Sequence, residues 1–227
     1  MRGPSIGIVV PVYNEAALLA ASLDALRRVI GSEPVVVVDG DSGDASSEIA
    51  ARYFPVAHAP APNRGAQLNL GAARLQTDAI LFLHADSRLP AGFQDEVRRA
   101  LSEPGVAGGC FRLRFDDDHP LLRLYGWLTR LPGRWLHFGD QAIFVRREIF
   151  ETMGGFRELP FLEDVDFLRR LRRCGQFRIV AAEVVTSARR FRRRGLFLQQ
   201  LRNVVLVALF EAGVPAERLA AFYPHVR

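Results

Sequence analysis

Ile6-Gly7-Ile8-Val9-Val10-Pro11-Val12-Tyr13-Asn14-Glu15 and Val35-Val36-Val37-Val38-Asp39-Gly40-Asp41 decide the fold. Each is an unbroken apolar, β-branched run that stops at a polar cluster. Runs without polar alternation belong to strands buried on both faces. Between them, Leu18, Leu19, Leu23, Leu26 and Ile30 recur at helical spacing across residues 16–30. The alternation continues with a short helix over 46–53, a strand over 54–58, a helix over 64–75 and a strand over 79–83. A helix over 90–101 follows, with Pro90 in its first turn. This order predicts an α/β fold with a mostly parallel central sheet and helices on both faces. Ligands of such sheets bind beyond the carboxyl ends of the strands. The clusters Tyr13-Asn14-Glu15, Asp39-Gly40-Asp41 and His84-Ala85-Asp86 fall at those ends.

The second half is less regular. It reads as a strand over 106–115, a helix over 121–131 and a strand over 142–145 preceded by Gly139-Asp140-Gln141. A flexible Gly154-Gly155-Phe156 loop comes next, then a helix over 162–174 opened by Glu163-Asp164 and stopped by Gly175. Short strands follow over 177–180 and 184–187, and a C-terminal helix over 196–210. Residues 1–187 form the expected main domain. Residues 188–227 form a basic and helical extension packed on it.

Composition narrows the function. A chain of 227 residues with 49% hydrophobic and 24% charged residues is a folded domain, not a disordered tail. No apolar run approaches the roughly 20 residues that cross a bilayer, and no secretory signal is evident. The two cysteines suit a reducing compartment. The expected location is therefore cytoplasmic, free or at the inner membrane face. All 30 basic residues are arginine, and the net charge is +5. Genome composition explains that bias without function, yet arginine's planar fork still favours phosphate oxygens, nucleic acid or anionic lipid.

Several chemistries are excluded. Without lysine there is no phosphate-binding GxxxxGK[ST] loop, and neither GxGxxG after the first strand nor HExxH occurs. No nucleophile elbow surrounds Ser5. Carboxylates at strand ends remain. Asp39 and Asp41 can accept hydrogen bonds from a base or a ribose, or can serve a turn built from Asp-Gly-Asp-Ser-Gly-Asp. Asp86 can take a divalent cation, with His84 on the same strand face, or can cap a helix. Glu163 and Asp164 suit a helix N-terminus, and either carboxylate can act as a base within reach of a hydroxyl.

Taken together, Pro11-Val12-Tyr13-Asn14-Glu15, Asp39-Gly40-Asp41-Ser42-Gly43-Asp44, Asn63-Arg64-Gly65 with Asn69, His84-Ala85-Asp86, Gly139-Asp140-Gln141, Gly154-Gly155-Phe156 and Glu163-Asp164 resemble the family 2 glycosyltransferases. These are inverting enzymes of the GT-A fold, here of a small bacterial type. The ordered motifs cover about residues 5–187. The resemblance implies a nucleotide-sugar donor, probably a UDP-sugar by analogy, and a Mg²⁺ or Mn²⁺ cofactor. Pro11, Tyr13 and Glu15 would line the nucleoside pocket, with Asp39 on the base, Asp41 beside it, and Arg64 and Asn69 near the nucleotide. Asp86 matches the last aspartate of the family's DxD motif. Asp164 matches the catalytic base of its ED motif, preceded by Glu163. Gly139, Asp140 and Gln141 would border acceptor and donor sugar. His84 replaces the first DxD aspartate, so the metal rests on Asp86 with phosphate and water, or His84 is itself a ligand. The family's QxxRW motif is not evident. Residues 186–191 come nearest, with Phe191 in the tryptophan position, which argues for single sugar transfer.

Two other functions were open. A nucleotidyltransferase acting on a sugar phosphate would carry a Gly-rich basic loop after the first strand. A nucleic-acid-binding module has only the arginine count in its favour, so no nucleic-acid partner is expected. The acceptor is left as a small molecule or a lipid-linked one. For residues 189–210 two readings stand. One is peripheral docking on an anionic membrane. The other is packing on the domain or on a second copy as a homodimer, with arginines in solvent or near the diphosphate.

Overall fold

The computed structural model describes residues 3–133 and 135–220. Its sheet has eight strands: β1 (Ile6–Val12), β2 (Val35–Asp39), β3 (Val56–His58), β4 (Ala79–Phe82), β5 (Ser87–Arg88), β6 (Val106–Phe115), β7 (Ile143–Arg146) and β8 (Gln176–Thr186). They lie in the order β3-β2-β1-β4-β7-β6-β8-β5. Among the described strands only β5 and β7 run against the rest. The sheet is therefore mostly parallel, as the sequence predicts.

Alternate residues of the central strands feed two cores. Ile8, Val10, Val37 and Leu81 point to one side and meet helices α1 (Ala16–Val29), α2 (Ser46–Ala51), α4 (Phe93–Ser102) and α5 (Pro120–Leu128). Val9, Val38, Ile80 and Phe82 point to the other and meet α3 (Arg64–Ala73), α6 (Arg147–Thr152) and α7 (Glu163–Cys174). That is why these strands read as unbroken apolar runs: neither face sees water. A third, smaller cluster joins Phe161 to Leu206 of α9 (Leu196–Glu211) and Leu219 of α10 (Ala216–Ala220). Between β8 and α9 lies the short arginine-rich α8 (Arg189–Arg194). Its Phe191 packs edge-on against Phe115, with ring centroids 5.2 Å apart. Residues 221–227 of the expected extension lie outside the described residues.

Some expectations need correcting. Pro90 stands outside its helix, because Gly92 takes the left-handed conformation (φ +72°) and α4 begins at Phe93. The two short strands over 177–187 are one strand, β8, with a register shift opposite Phe111 and Arg112. That irregularity is what broke the apparent pattern. The Gly154-Gly155-Phe156 loop is held in place: Asn69 Nδ2 donates to Phe156 O (2.9 Å) and Phe156 N donates to Asn69 Oδ1 (2.8 Å). Helix α6 and strand β5 carried too few residues to show a period.

The carboxyl ends of β1 and β2 are stitched together from both sides. Gln67 on α3 is buried, and its Nε2 donates to Val12 O and Val38 O, both at 2.8 Å. On the opposite side Asn14 N donates to Ser42 Oγ, Glu15 N to Ser46 Oγ (2.8 Å) and Ala16 N to Asp44 Oδ2 (3.1 Å). The two residues before α1 and its first N–H are thus held by the neighbouring segment, and Glu15 gives no side-chain cap. Gln67→Leu would remove two buried hydrogen bonds, although Val12 O keeps its bond from Gly40 N. It should cost roughly 2–3 kcal/mol, read as a lower urea midpoint with an unchanged m-value. An unaltered midpoint would remove Gln67 as the tie.

Candidate active site

The stitched strand ends open into two adjoining cavities. The smaller is lined by Pro11, Val12, Tyr13, Glu15, Gln67, Ala85 and, shared with the larger one, Arg64, His84, Asp86 and Arg190. The larger holds about 290 Å³. Its floor carries Asp140, Gln141, Glu163 and Asp164, and its walls come from α5, α8, α9 and the segment around Trp135 to Phe138. Eight of the residues singled out from sequence for the nucleotide, the metal and the base therefore meet at one place: Tyr13, Glu15, Arg64, His84, Asp86, Asp140, Glu163 and Asp164. Pro11 and Gln141 join them.

Four others do not line either cavity. Asn69 spends both ends of its amide on the Phe156 backbone, so its expected place beside the nucleotide is corrected to a loop anchor. Asp41 is exposed at a turn, with φ +64°, and lines neither cavity. Asp39 is buried at the end of β2; its Oδ2 accepts from Ser42 N (3.0 Å) and its Oδ1 has no hydrogen-bond partner. Gly139 acts through its backbone, because its N–H donates to Asp164 Oδ2 at 2.6 Å.

That glycine is needed for its size. A Cβ there would stand 2.9 Å from His84 Nε2 and 3.1 Å from Asp164 Oδ2. Only a bare backbone lets the histidine and the carboxylate close in on it from two elements. Asp164 sits in the first turn of α7, and its Oδ1 accepts from Val165 N (2.8 Å), so both oxygens are aimed by backbone donors. Beside it, Glu163 pairs with Arg64 at 3.5 Å. Gln141 is pinned by His137 Nδ1 (2.9 Å) and by its own Nε2 donating to Leu136 O (2.9 Å), which fixes the segment forming one wall.

Four non-glycine residues have positive φ among those described: Asn14 (51°), Asp41 (64°), Ala142 (50°) and Leu162 (61°). Asn14 and Leu162 line the larger cavity, Ala142 follows Gly139-Asp140-Gln141, and Asp41 ends the strand loop. Each costs on the order of 1 kcal/mol. Their concentration around one cleft marks corners that the surrounding packing holds open.

Charge is divided across the cleft. Asp86, Asp140 and Asp164 crowd one side. Burial first, then the nearby carboxylates of Asp164 and Asp86, push the Asp140 carboxyl up to about 7, against the opposing pull of Arg190 and Arg64. Its Oδ1 is buried without a hydrogen-bond partner. On the other side stand Arg64, Arg189, Arg190, Arg193 and Arg194, with Arg189 bonded to Glu15 Oε2 at 2.7 Å. Sequence reasoning missed Gln67 as a tie beneath the smaller cavity. It also missed the aromatic wall of Phe115, Tyr125, Trp135, Phe138 and Phe161. Those rings carry no sequence signal that separates a cavity wall from a core.

An α/β fold with a cleft of about 290 Å³ over the strand ends, lined by both carboxylates and arginines, suits a group-transfer enzyme. The sequence matches the Glycosyl transferase family 2 over residues 7–158, and the chain belongs to that family. It is 34% identical over 187 residues to a PGL/p-HBAD biosynthesis glycosyltransferase of Mycobacterium bovis, covering 74% of this chain and 69% of that protein. An uncharacterized protein of Mycobacterium tuberculosis is 30% identical over 201 residues; the match covers 74% of this chain, which spans 62% of that relative's length. Among solved structures, the mannosyltransferase PcManGT of Pyrobaculum calidifontis, in complex with GDP-Man and Mn²⁺, superposes with a TM-score of 0.68 at 20% identity, over 95% of this chain and 66% of that one. Staphylococcus aureus TarS residues 1–349 with UDP-GlcNAc gives a TM-score of 0.64 at 14% identity, over 81% and 58%. The fold is the GT-A glycosyltransferase fold.

The crowded carboxylates have a measurable signature. Between the ordinary value of 3.8 and about 7, the unfolded chain releases a proton that folded Asp140 retains. Stability from this group is therefore greatest at low pH and is lost as pH rises through that window. In buffer containing EDTA, Asp140→Asn should flatten the decline of Tm with pH and melt several degrees above the parent protein at pH 8. Equal slopes for the two proteins would refute the crowding.

Proposed function

We propose that this glycosyltransferase moves a sugar from a nucleoside-diphosphate donor, a UDP-sugar by the same family analogy, onto an acceptor hydroxyl with inversion, assisted by Mg²⁺ or Mn²⁺. The observation that carries the reading is Asp164 held by two backbone N–H groups on the floor of the same cleft that contains Asp86 and five arginines. The smaller cavity, of about 20 Å³, marks where the nucleoside would lie against Pro11, Tyr13 and Glu15, spilling out over its mouth, and Asp39, with its unpartnered oxygen, lies at the end of the adjacent strand as the candidate for the base. The acceptor fills the larger cavity.

The donor set fits a hard divalent cation. Asp86 supplies carboxylate oxygen and His84 an imidazole nitrogen, while Asp140 keeps an unsatisfied buried oxygen nearby. Among the described residues no group of three His, Cys, Asp or Glu side chains makes a complete cage, which suits a cation whose remaining sites go to donor phosphate and water oxygens. Bound there, the ion would supply positive charge against the diphosphate leaving group. PcManGT was solved with GDP-Man and Mn²⁺, in line with that assignment.

The chain's own residues then divide the work. Arg64 and Arg190, shared by both cavities, face the position of the phosphates and offset the charge that grows there. Asp164 Oδ2 or Oδ1 accepts the proton of the attacking hydroxyl. The hydroxyl oxygen forms its bond to the anomeric carbon as the bond to the diphosphate oxygen breaks on the opposite face. One displacement inverts the centre, so no protein nucleophile is needed. Asp140 and Gln141 border the sugar.

A thermal-shift panel of nucleotide sugars with and without Mn²⁺ tests donor and metal together. At a hundredfold excess over Kd, binding adds about 2.7 kcal/mol, or roughly 5–10 °C in Tm. Asp86→Asn should abolish the Mn²⁺-dependent part. Asp164→Asn should lower turnover by on the order of 10²–10⁴-fold while the donor still raises Tm. Turnover at the parent rate in Asp164→Asn would remove it as the base, and the absence of any shift across the panel would remove the donor assignment.

A further inference from the structure

Helix α9 is turned inside out for a helix in water. Its polar stripe faces inward: Gln199 is 3% exposed and its Nε2 donates to Asn203 Oδ1 at 2.8 Å, both residues lining the larger cavity. Its apolar stripe faces outward. Phe197 and Leu198 are 66% and 67% exposed, and Leu201, Val204, Val205 and Leu209 continue the same face. A surface helix of a soluble protein shows the reverse arrangement. Helix α5 lies against α9 and extends the patch with Leu124 and Trp127, followed by Leu131 and Trp135 beyond its end. Nothing among the described residues covers this surface.

We infer that the joint outer face of α5 and α9 is a docking surface for an anionic lipid bilayer. Charge selects the occupant. Helices α5, α8 and α9 carry seven arginines and a single carboxylate, Glu211, at the last position of α9. Arg123 and Arg130 are exposed on the same side as Leu124 and Trp127; Arg192 and Arg193 are exposed just before Phe197. Two of these already have partners, Arg130 with Glu183 and Arg192 with Asp117, and Arg193 also lines the larger cavity, while Arg123 adds uncompensated charge beside the apolar residues. An apolar stripe with tryptophans and a basic border matches the boundary between headgroups and acyl chains of an anionic leaflet. A two-fold contact with a second copy would instead set one basic border against another.

Position supports the same occupant. The inner sides of these two helices are walls of the larger cavity, through Tyr125, Leu128, Leu206 and Val207. Docking would therefore place the mouth of that cavity at the membrane. Given the reading of the cavity as the acceptor site, on which this last step alone rests, the acceptor would be a lipid presented from the bilayer. None of the helices is long and apolar enough to cross a membrane among the described residues, so the attachment is peripheral.

The test is co-sedimentation with vesicles of phosphatidylcholine alone and of phosphatidylcholine mixed with phosphatidylglycerol. The full chain should pellet with the mixed vesicles at low salt, and poorly with the neutral ones or at high salt. The double variant Phe197→Ser/Leu198→Ser should weaken that binding by on the order of tenfold or more, and Arg123→Glu by a smaller factor confined to the anionic vesicles. None of these residues lines either cavity, so each variant should keep the parent thermal shift with nucleotide sugar. That readout separates a failure of docking from a failure of the donor assignment. Three outcomes would overturn the inference: no pelleting of the full chain with anionic vesicles at low salt, undiminished binding by the double variant, or a dimer in sedimentation equilibrium that the double variant dissolves.

Discussion

A carboxyl buried at the ends of the strands, with two more carboxylates beside it, is the constraint around which this molecule is arranged. Asp86 follows β4, Asp140 lies in a short turn before β7, and Asp164 opens α7, yet all three reach one cleft. The cost is visible at Asp140, whose carboxyl holds its proton to about 7. Left alone, such a cluster would lower its energy by splaying apart. It persists because charge of the other sign is brought in from two separate places, Arg64 at the start of α3 and Arg190 in α8, both of which oppose the rise at Asp140. A buried carboxyl whose charged form awaits positive charge is what the proposed site for a cation-bridged diphosphate would use.

Holding that arrangement falls to groups with no part in chemistry. Gln67 ties β1 to β2 from below, while Ser42, Asp44 and Ser46 accept N–H groups just before and at the start of the first helix from above. Asp166, buried one turn into α7, accepts from Arg170 Nε at 2.7 Å and from Arg169 Nη2 at 3.0 Å. Arg170 in turn donates to Met153 O and Gly155 O. The loop that precedes α7 is thereby fastened to the helix bearing Asp164. A small displacement of that helix would move the carboxylate relative to the anomeric carbon, and rates fall steeply with misplacement of about 1 Å. Under the proposed mechanism that support is as much a condition of transfer as the carboxylate of Asp164.

The first half of the fold was legible because each strand is buried on both faces and each helix on one, so period and composition agree at every step. Legibility failed where that agreement fails. Strand β8 bends at a register shift and has partly exposed residues along it, so it looked like two strands. Helix α6 has only six residues. In the site, Asp86 and Asp164 were readable since a carboxylate at a strand end or helix start has few bland uses in combination. Asn69 was not, because a side chain that binds a loop and one that binds a nucleotide look alike in sequence. The aromatic wall was hidden for the opposite reason: Phe and Trp are expected in cores, and only the fold turns Trp135 and Phe138 toward a cavity.

The arginines of α8 join the two halves of the molecule's chemistry. This segment follows β8, at the far side of the sheet from β1, and folds back so that Arg189 reaches Glu15 and Arg190 reaches the cleft. Phe191, wedged between Phe115 and Tyr125, fixes the rotation of the short helix and so decides which arginines face inward. Arg192, bonded to Asp117, and Arg193 are exposed where the chain turns into α9. The short basic helix consequently lines the cleft with Arg189 and Arg190 and presents charge at the surface with Arg192. Since α9 begins at the very next residue after Gly195, whose φ of +85° sets the corner, the outer apolar stripe and the inner charge of the cleft are held in fixed relation.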